Sequence, residues 1–309
     1  MNSPLRKPNL FVIGAMKSGT TSLHEYLDTH PQIAMSKQKE PAFFAEEFTL
    51  RRGENWYLSL FPQDTRYRYL GESSTQYTRL PLFQGVPQRL HQFNPDARLI
   101  YIMRNPFDRL VSHYWHAVQV RPILTEHGEH RSLLNAIRNS PEVYLATSNY
   151  AVQLAPYIRL FGRDSLYTLT FESLIANPQR ELDGIYNWLD LPSHSLAGQI
   201  GRVHNPTPRD TTSAAGAGIL YRIRFSNTWD RIAPYVPNKF KQWAKHRAYR
   251  APNPEQWQQE IAQLRAEISG LQSKQLDALS RLLGKEFPEW QAESSKHDQP
   301  LDGTLNNSD

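Results

Sequence analysis

The first unbroken apolar run of the chain is Leu10-Phe11-Val12-Ile13, closed by Gly14. A short continuous run of this kind fits a strand buried on both faces, as in a parallel sheet. From Thr20 to Thr29 the pattern changes: Leu23, Tyr26 and Leu27 fall on one helical face, and His30-Pro31 stops the segment. A second strand is predicted at Tyr67–Gly71, and a third at Arg98–Met103, which reads Arg-Leu-Ile-Tyr-Ile-Met. The helix after it, Phe107–Val118, begins where Asn105 suits an N-cap and Pro106 the first helical position. A fourth strand at Ser165–Thr170 is followed by Phe171-Glu172 and a helix from Pro178 to Leu189.

Strands alternating with helices predict an α/β fold in three layers, a mostly parallel central sheet flanked by helices. Beyond Leu191 the pattern weakens. Residues 205–218 are rich in Pro, Thr, Ala and Gly and read as a long loop, either a lid or a connection. Within Glu255–Leu283, the residues Ile261, Leu264, Ile268, Leu271, Leu276 and Leu279 recur at near-helical spacing, giving one helix or two broken at Gly270. Polar residues 291–309 are expected to be disordered. Residues 1–290 thus read as a single domain, with its core over 10–191 and a helical extension over about 219–290.

Composition narrows the chemistry. The 309 residues include no cysteine, which excludes disulfides, thiolate nucleophiles and thiolate metal sites. The eleven histidines form no H-E-x-x-H or similar cluster, so no metal is predicted. No apolar run reaches the length of a membrane span, and Leu10–Ala15 is too short for the core of a signal peptide. The expectation is a soluble, cytoplasmic protein. A net charge of +5 fits an anionic ligand such as a nucleotide or an acidic glycan, and equally an ordinary soluble surface; nothing points to nucleic acid.

The charge gains meaning where basic residues meet the elements. Gly14-Ala15-Met16-Lys17-Ser18-Gly19-Thr20-Thr21 links the first strand to the first helix. Unpaired N–H groups at a helix start favour anions. Gly19 permits close approach of the backbone, Lys17 adds a full charge, and the hydroxyls of Thr20 and Thr21 donate to phosphate oxygens. The ATPase loop G-x-x-x-x-G-K-[ST] places its Lys after the second glycine, whereas here Lys17 precedes Gly19. The plain alternative is an exposed strand–turn–helix corner with a chance lysine. Further on, Arg104 ends the third strand, where open α/β sheets bind ligands, and Ser112 lies about two turns into the next helix. Together they suit a phosphate; apart, Arg104 would pair with Asp108 and Ser112 would be solvated.

The run Phe11–Ser22 resembles the 5′-phosphosulfate loop of PAPS-dependent sulfotransferases, an apolar strand followed by roughly K/R-[SG]-G-T-[TS]. Arg98–His116 is similar to the family's 3′-phosphate motif: an Arg at the strand end, N/D-P, then a Ser eight residues on. Tyr167–Pro178 resembles its strand–E-x-L-x-x-x-P element. The resemblance covers about Leu10 to Leu191 and implies a P-loop-like fold. It implies that Lys17, Ser18, Gly19, Thr20, Thr21 and Ser22 hold the 5′-phosphosulfate of PAPS, and that Arg104 and Ser112 hold the 3′-phosphate retained in the product PAP.

On the acceptor side, Glu40 is followed by Pro41, Phe43 and Phe44. Desolvation there would raise its carboxyl and make it a better base; pairing with Lys37 or Lys39 on the surface is the alternative. Lys39–Phe44 is similar to the K-E-x-x-[FY]-F segment of the heparan-sulfate-type and bacterial carbohydrate sulfotransferases, which implies that Glu40 is the catalytic base. Tyr69–Tyr77 fits the segment G-E-K-[ST]-P-x-Y, except that Ser73 stands where a catalytic Lys often is and Thr75 replaces Pro. Ser148-x-Tyr150 resembles a later S-x-Y element, although a buried Tyr accounts for it equally. Arg202 and Arg209 are candidates to close over the nucleotide.

The implied activity is transfer of a sulfuryl group from PAPS to a hydroxyl or amine on a glycan, a glycolipid or a small natural product. Glu40 would take the proton and Lys17 would steady the leaving phosphate. The competing readings are a nucleotide kinase using ATP and Mg²⁺, and a PAP-binding module without catalysis. Acceptor identity and oligomeric state are not legible in the chain.

Overall fold

The computed structural model describes residues 5–120, 132–196, 212–213, 249–250 and 254–293. In it the apolar run Leu10–Gly14 is β1, the central strand of a five-stranded sheet. The run is continuous because both faces are covered. Phe11 and Ile13 bury in one core, while Leu10 and Val12 bury in the other.

In chain order β1 is followed by α1 (Thr20–Asp28), β2 (Ile33–Met35), α2 (Glu47–Leu50), α3 (Gly53–Leu58) and β3 (Tyr69–Ser73). Next come α4 (Val86–Phe93), β4 (Arg98–Met103), α5 (Pro106–Val120), α6 (Leu133–Asn139), α7 (Pro141–Ser148) and α8 (Tyr150–Phe161). The order closes with β5 (Leu166–Thr170), α9 (Phe171–Ala176), α10 (Pro178–Trp188), the two-residue strands β6 (Thr212–Ser213) and β7 (Tyr249–Arg250), α11 (Pro254–Leu283) and α12 (Pro288–Glu293). The sheet order is β2-β3-β1-β4-β5, and every pairing is parallel. The expected three-layer α/β architecture is what forms. Helices α1 and α10 cover one face, and α3, α4, α8 and α11 the other.

The predicted elements hold with adjustments at their ends and additions between them. β3 starts two residues later than expected, because pairing of Ile33 with Tyr69 and Leu10 with Gly71 sets its register. β2 was not predicted; three residues carry too little pattern to read. The 254–283 segment is one helix, not two. A side chain at Gly270 would meet nothing, so the glycine costs only its weak helix propensity. Helix α12 runs to Glu293, past the expected end of the ordered domain. Within the predicted 205–218 loop, Thr212–Ser213 pairs antiparallel with Tyr249–Arg250. The rest of that loop, Arg202, Arg209, most of 219–253 and the 294–309 tail lie outside the described residues. Among the described residues no helix is long and apolar enough to cross a membrane.

Topology places the site. The crossover from β1 leads to β2 on one side of the sheet and that from β4 leads to β5 on the other, so the direction of winding switches between β1 and β4. In open α/β sheets such a switch point opens a crevice at the C-terminal strand ends, and here that end is Gly14, the start of the phosphate-type loop.

Candidate active site

The loop is built for close approach. A Cβ on Gly14 would fall 2.1 Å from Thr78 Oγ1 and 2.8 Å from the Tyr101 ring. A Cβ on Gly19 would fall 2.7 Å from the Phe171 ring, and its φ of 88° is left-handed. Gly19 is the N-cap of α1 and has no side chain to offer, so the first N–H groups of the helix are left for a ligand. Thr20 is buried, and Thr21 and Ser22 are half-buried on that first turn. Ser18 is fully buried, and its Oγ sits beside the Tyr150 hydroxyl without a hydrogen bond of its own. Lys17 is left-handed too, at φ 69°, a conformation uncommon outside glycine and found where function over-determines the backbone.

Three predicted residues from three separate elements meet here. Burial lowers the pKa of Lys17, the Arg104 charge lowers it further, and Glu40 opposes both; Lys39 is the fourth charge in the group. Arg104 leaves the end of β4 with its guanidinium 4.9 Å from the Phe171 ring centroid. It makes no ion pair with Asp108, and its Nε is buried without a partner. Ser18 Oγ and Arg104 Nε are therefore two buried donors lacking acceptors, and a bound oxyanion answers both. Asn105 caps α5 as expected, its Oδ1 accepting from the N–H groups of Phe107 (3.0 Å) and Asp108 (3.3 Å). Ser112 is half-buried on α5, one turn before His116. His116 has its pKa lowered to about 4, first by burial and then by Lys17, against the pull of Glu40, so this face of α5 looks into the same site.

Of the two settings the sequence leaves open for Glu40, the structure shows the lysine pair. Phe43 and Phe44 turn into the core, with Phe43 stacked 4.4 Å from Tyr57. The carboxylate goes the other way and keeps 36% of its side chain exposed. Its Oε1 accepts from Lys39 Nζ at 2.9 Å and Thr75 Oγ1 at 3.2 Å. Left-handed φ angles at Glu40 (57°) and Ala42 (50°) send the two groups apart. The partner is Lys39, one of the two alternatives, while Lys37 is exposed. This pair lies beside Lys17 and so forms part of the site.

Ser73 is fully buried, with its Oγ 2.9 Å from His24 Nδ1. It therefore anchors α1 to the end of β3, and the charge of Lys39 acts on the same His24. Burial, and then Lys39, lower the His24 pKa to about 4. Next to Ser73, Glu72 is fully buried and accepts from Tyr57 (2.7 Å), Ser74 (2.6 Å) and Tyr77 (2.5 Å), while burial raises its pKa. Ser148 and Tyr150 are both buried. Ser148 Oγ accepts from Arg109 Nε at 2.7 Å, and the Tyr150 hydroxyl donates to the Arg104 carbonyl at 2.7 Å. The structural account of that S-x-Y element is the one the structure supports. Sequence reasoning missed Lys39 as a site cation, His24 and the buried Arg109. His24 was readable only as the residue one turn after Thr20.

The lowered pKa of His24 predicts a pH dependence of folding. The unfolded chain protonates it near pH 6.5 and the folded chain only near 4, so below about 6.5 the unfolded state binds more protons. Stability is expected to fall as pH drops from about 6.5 to 4, by on the order of 3 kcal/mol from this group. Urea unfolding across that range should show the slope, and His24→Gln should lessen it, the remainder coming from His113 and His116, whose pKa values burial also lowers; an unchanged slope would remove His24 as a contributor.

A profile described as a sulfotransferase domain matches residues 7–210. Heparan sulfate glucosamine 3-O-sulfotransferase 3B1 of Mus musculus is 27% identical over 190 residues, covering 60% of this chain and 46% of that protein. The membrane-associated sulfotransferase kil1 of Dictyostelium discoideum is 37% identical over 115 residues, covering 36% of this chain and 23% of that protein. The chain spans about half the length of the 3-O-sulfotransferases it matches. Among solved structures, a sulfotransferase from Alicyclobacillus acidocaldarius superposes with a TM-score of 0.60 at 22% identity, covering 93% of this chain and 99% of that one, a likeness of fold. The matched span contains the loop, Glu40 and Arg104, and on it this chain belongs to the sulfotransferase domain family.

Proposed function

We propose that the chain transfers a sulfuryl group from PAPS to a hydroxyl or amine, with a carbohydrate as the first acceptor class. The observation that carries this is the meeting of Lys17, Arg104 and Glu40 at the end of β1, beside two buried donors without partners. The loop would hold the 5′-phosphosulfate, and Arg104 with Ser112 the 3′-phosphate. In the transfer, a bond forms between the acceptor atom and sulfur while the bond from sulfur to the 5′-phosphate oxygen breaks. Glu40 receives the acceptor proton, and Lys17 faces the charge left on the phosphate. Relatives whose names give heparan sulfate as what they act on support a sugar acceptor. Lys17 lying before Gly19 weighs against an ATP/Mg²⁺ kinase.

Arg104→Ala tests the donor half. PAP affinity is expected to fall by about 1.5–3 kcal/mol, the worth of a charged bidentate contact. A nucleotide lacking the 3′-phosphate should lose far less. Equal losses for both would show that Arg104 does not read the 3′-phosphate. PAP binding with no turnover on any sugar acceptor would favour the binding-module reading.

A further inference from the structure

The segment Lys285–Trp290 is remote in sequence from every site motif, yet its contacts close around Arg104. Trp290 is 4% exposed. Its indole Nε1–H donates to Glu172 Oε2 at 2.9 Å, and the other oxygen of that carboxylate accepts the backbone N–H of Asn105 at 2.9 Å. The Trp290 carbonyl accepts from Asn105 Nδ2 at 3.4 Å. Its ring stacks on Phe287 at 4.5 Å and lies 6.1 Å from the ring of Tyr150. The Tyr150 hydroxyl grips the Arg104 backbone on both sides, donating to its carbonyl at 2.7 Å and accepting from its N–H at 3.3 Å. Two more bonds fasten the segment to β5 and its end: Lys285 Nζ to the Thr168 carbonyl at 3.0 Å, and Thr170 Oγ1 to Glu289 Oε1 at 2.8 Å. Phe171, the ring under the Arg104 guanidinium, directly precedes Glu172 in the chain.

We propose that Trp290 is a positioning residue which, through the Glu172 carboxylate and the Tyr150 ring, sets the Arg104 guanidinium for a phosphate group. The inference rests on the reading of Arg104 as a phosphate ligand. A guanidinium that binds two oxygens at once tolerates little rotation, so its backbone and its underlying ring must both be held. Glu172 has two oxygens, and each has a distinct duty: one fixes the peptide after Arg104, the other is held by Trp290. Without the indole N–H, the second oxygen loses the donor that ties it to this segment and the carboxylate is held less tightly.

Trp290→Phe keeps an aromatic ring against Phe287 and Tyr150 and removes only the N–H and part of the area. The full chain is titrated calorimetrically with PAP and with adenosine 5′-phosphate, alone and in the Arg104→Ala background. The expected result is a PAP Kd raised about 5–20-fold, little change for adenosine 5′-phosphate, and no further loss when Arg104 is already alanine. Glu172→Gln leaves one amide oxygen for the two donors Trp290 Nε1–H and Asn105 N–H and should give the same pattern, should the Trp290 variant fold poorly. Equal weakening of both nucleotides marks a general structural role and overturns the proposal. So does an unchanged PAP Kd in a chain whose PAP binding still depends on Arg104. An Arg104→Ala chain with unchanged PAP affinity overturns the phosphate assignment and this inference together.

Discussion

Glu40→Gln is expected to lower turnover by about 10²–10⁴, the usual contribution of a general base. The substitution keeps the volume of the side chain and its capacity to accept from Thr75. It removes the one carboxylate that raises the pKa of Lys17. Binding of the anionic nucleotide should therefore stay level or tighten slightly, since Lys17, Lys39 and Arg104 lose an opposing charge. Initial rates with labelled PAPS, beside PAP titrations, separate the two effects. A variant with full turnover would move the base to His116, which sees both Lys17 and Glu40 and is neutral at ordinary pH. A variant that loses PAP binding and turnover together would make Glu40 a structural partner of Lys39.

Lys17→Ala should raise the barrier by about 2–4 kcal/mol, or roughly 30- to 1000-fold in rate, as expected for one charge aimed at developing negative charge. Folding should be nearly untouched. Lys17 sits at φ 69° in the present chain, and alanine bears the same Cβ, so the backbone penalty is common to both. The lysine is also partly desolvated beside another cation, which makes its charge a cost to the free protein. Single-turnover rates read against the melting temperature test this. A near-normal rate at a normal melting temperature would remove Lys17 from the chemistry.

Much of this site was legible in the chain because its parts are local. A continuous apolar run, a glycine that closes it and hydroxyls opening a helix are neighbours in sequence, and they remain neighbours in β1, the loop and α1. The Asn105-Pro106 cap likewise involves only adjacent residues. Glu40 shows where local reading stops. Its neighbours in sequence left an apolar setting and a lysine pair both open, and two left-handed residues turned the chain so that the carboxylate meets Lys39 and Thr75. Helices α6 to α8 gave little signal, with Pro141 opening one and Pro156 inside another.

Hydrophobic periodicity and the order of strand, glycine loop and helix were enough to specify a parallel α/β sheet and a strand–glycine loop–helix corner, because both depend on residues a few positions apart. Tertiary packing alone decided which charges share the crevice. It set Ser73 against His24, 49 residues apart. It also brought Trp290 to Glu172 across 118 residues and to Asn105 across 185. Such pairings are settled by strand order and by which face each helix buries, and no spacing along the chain encodes them.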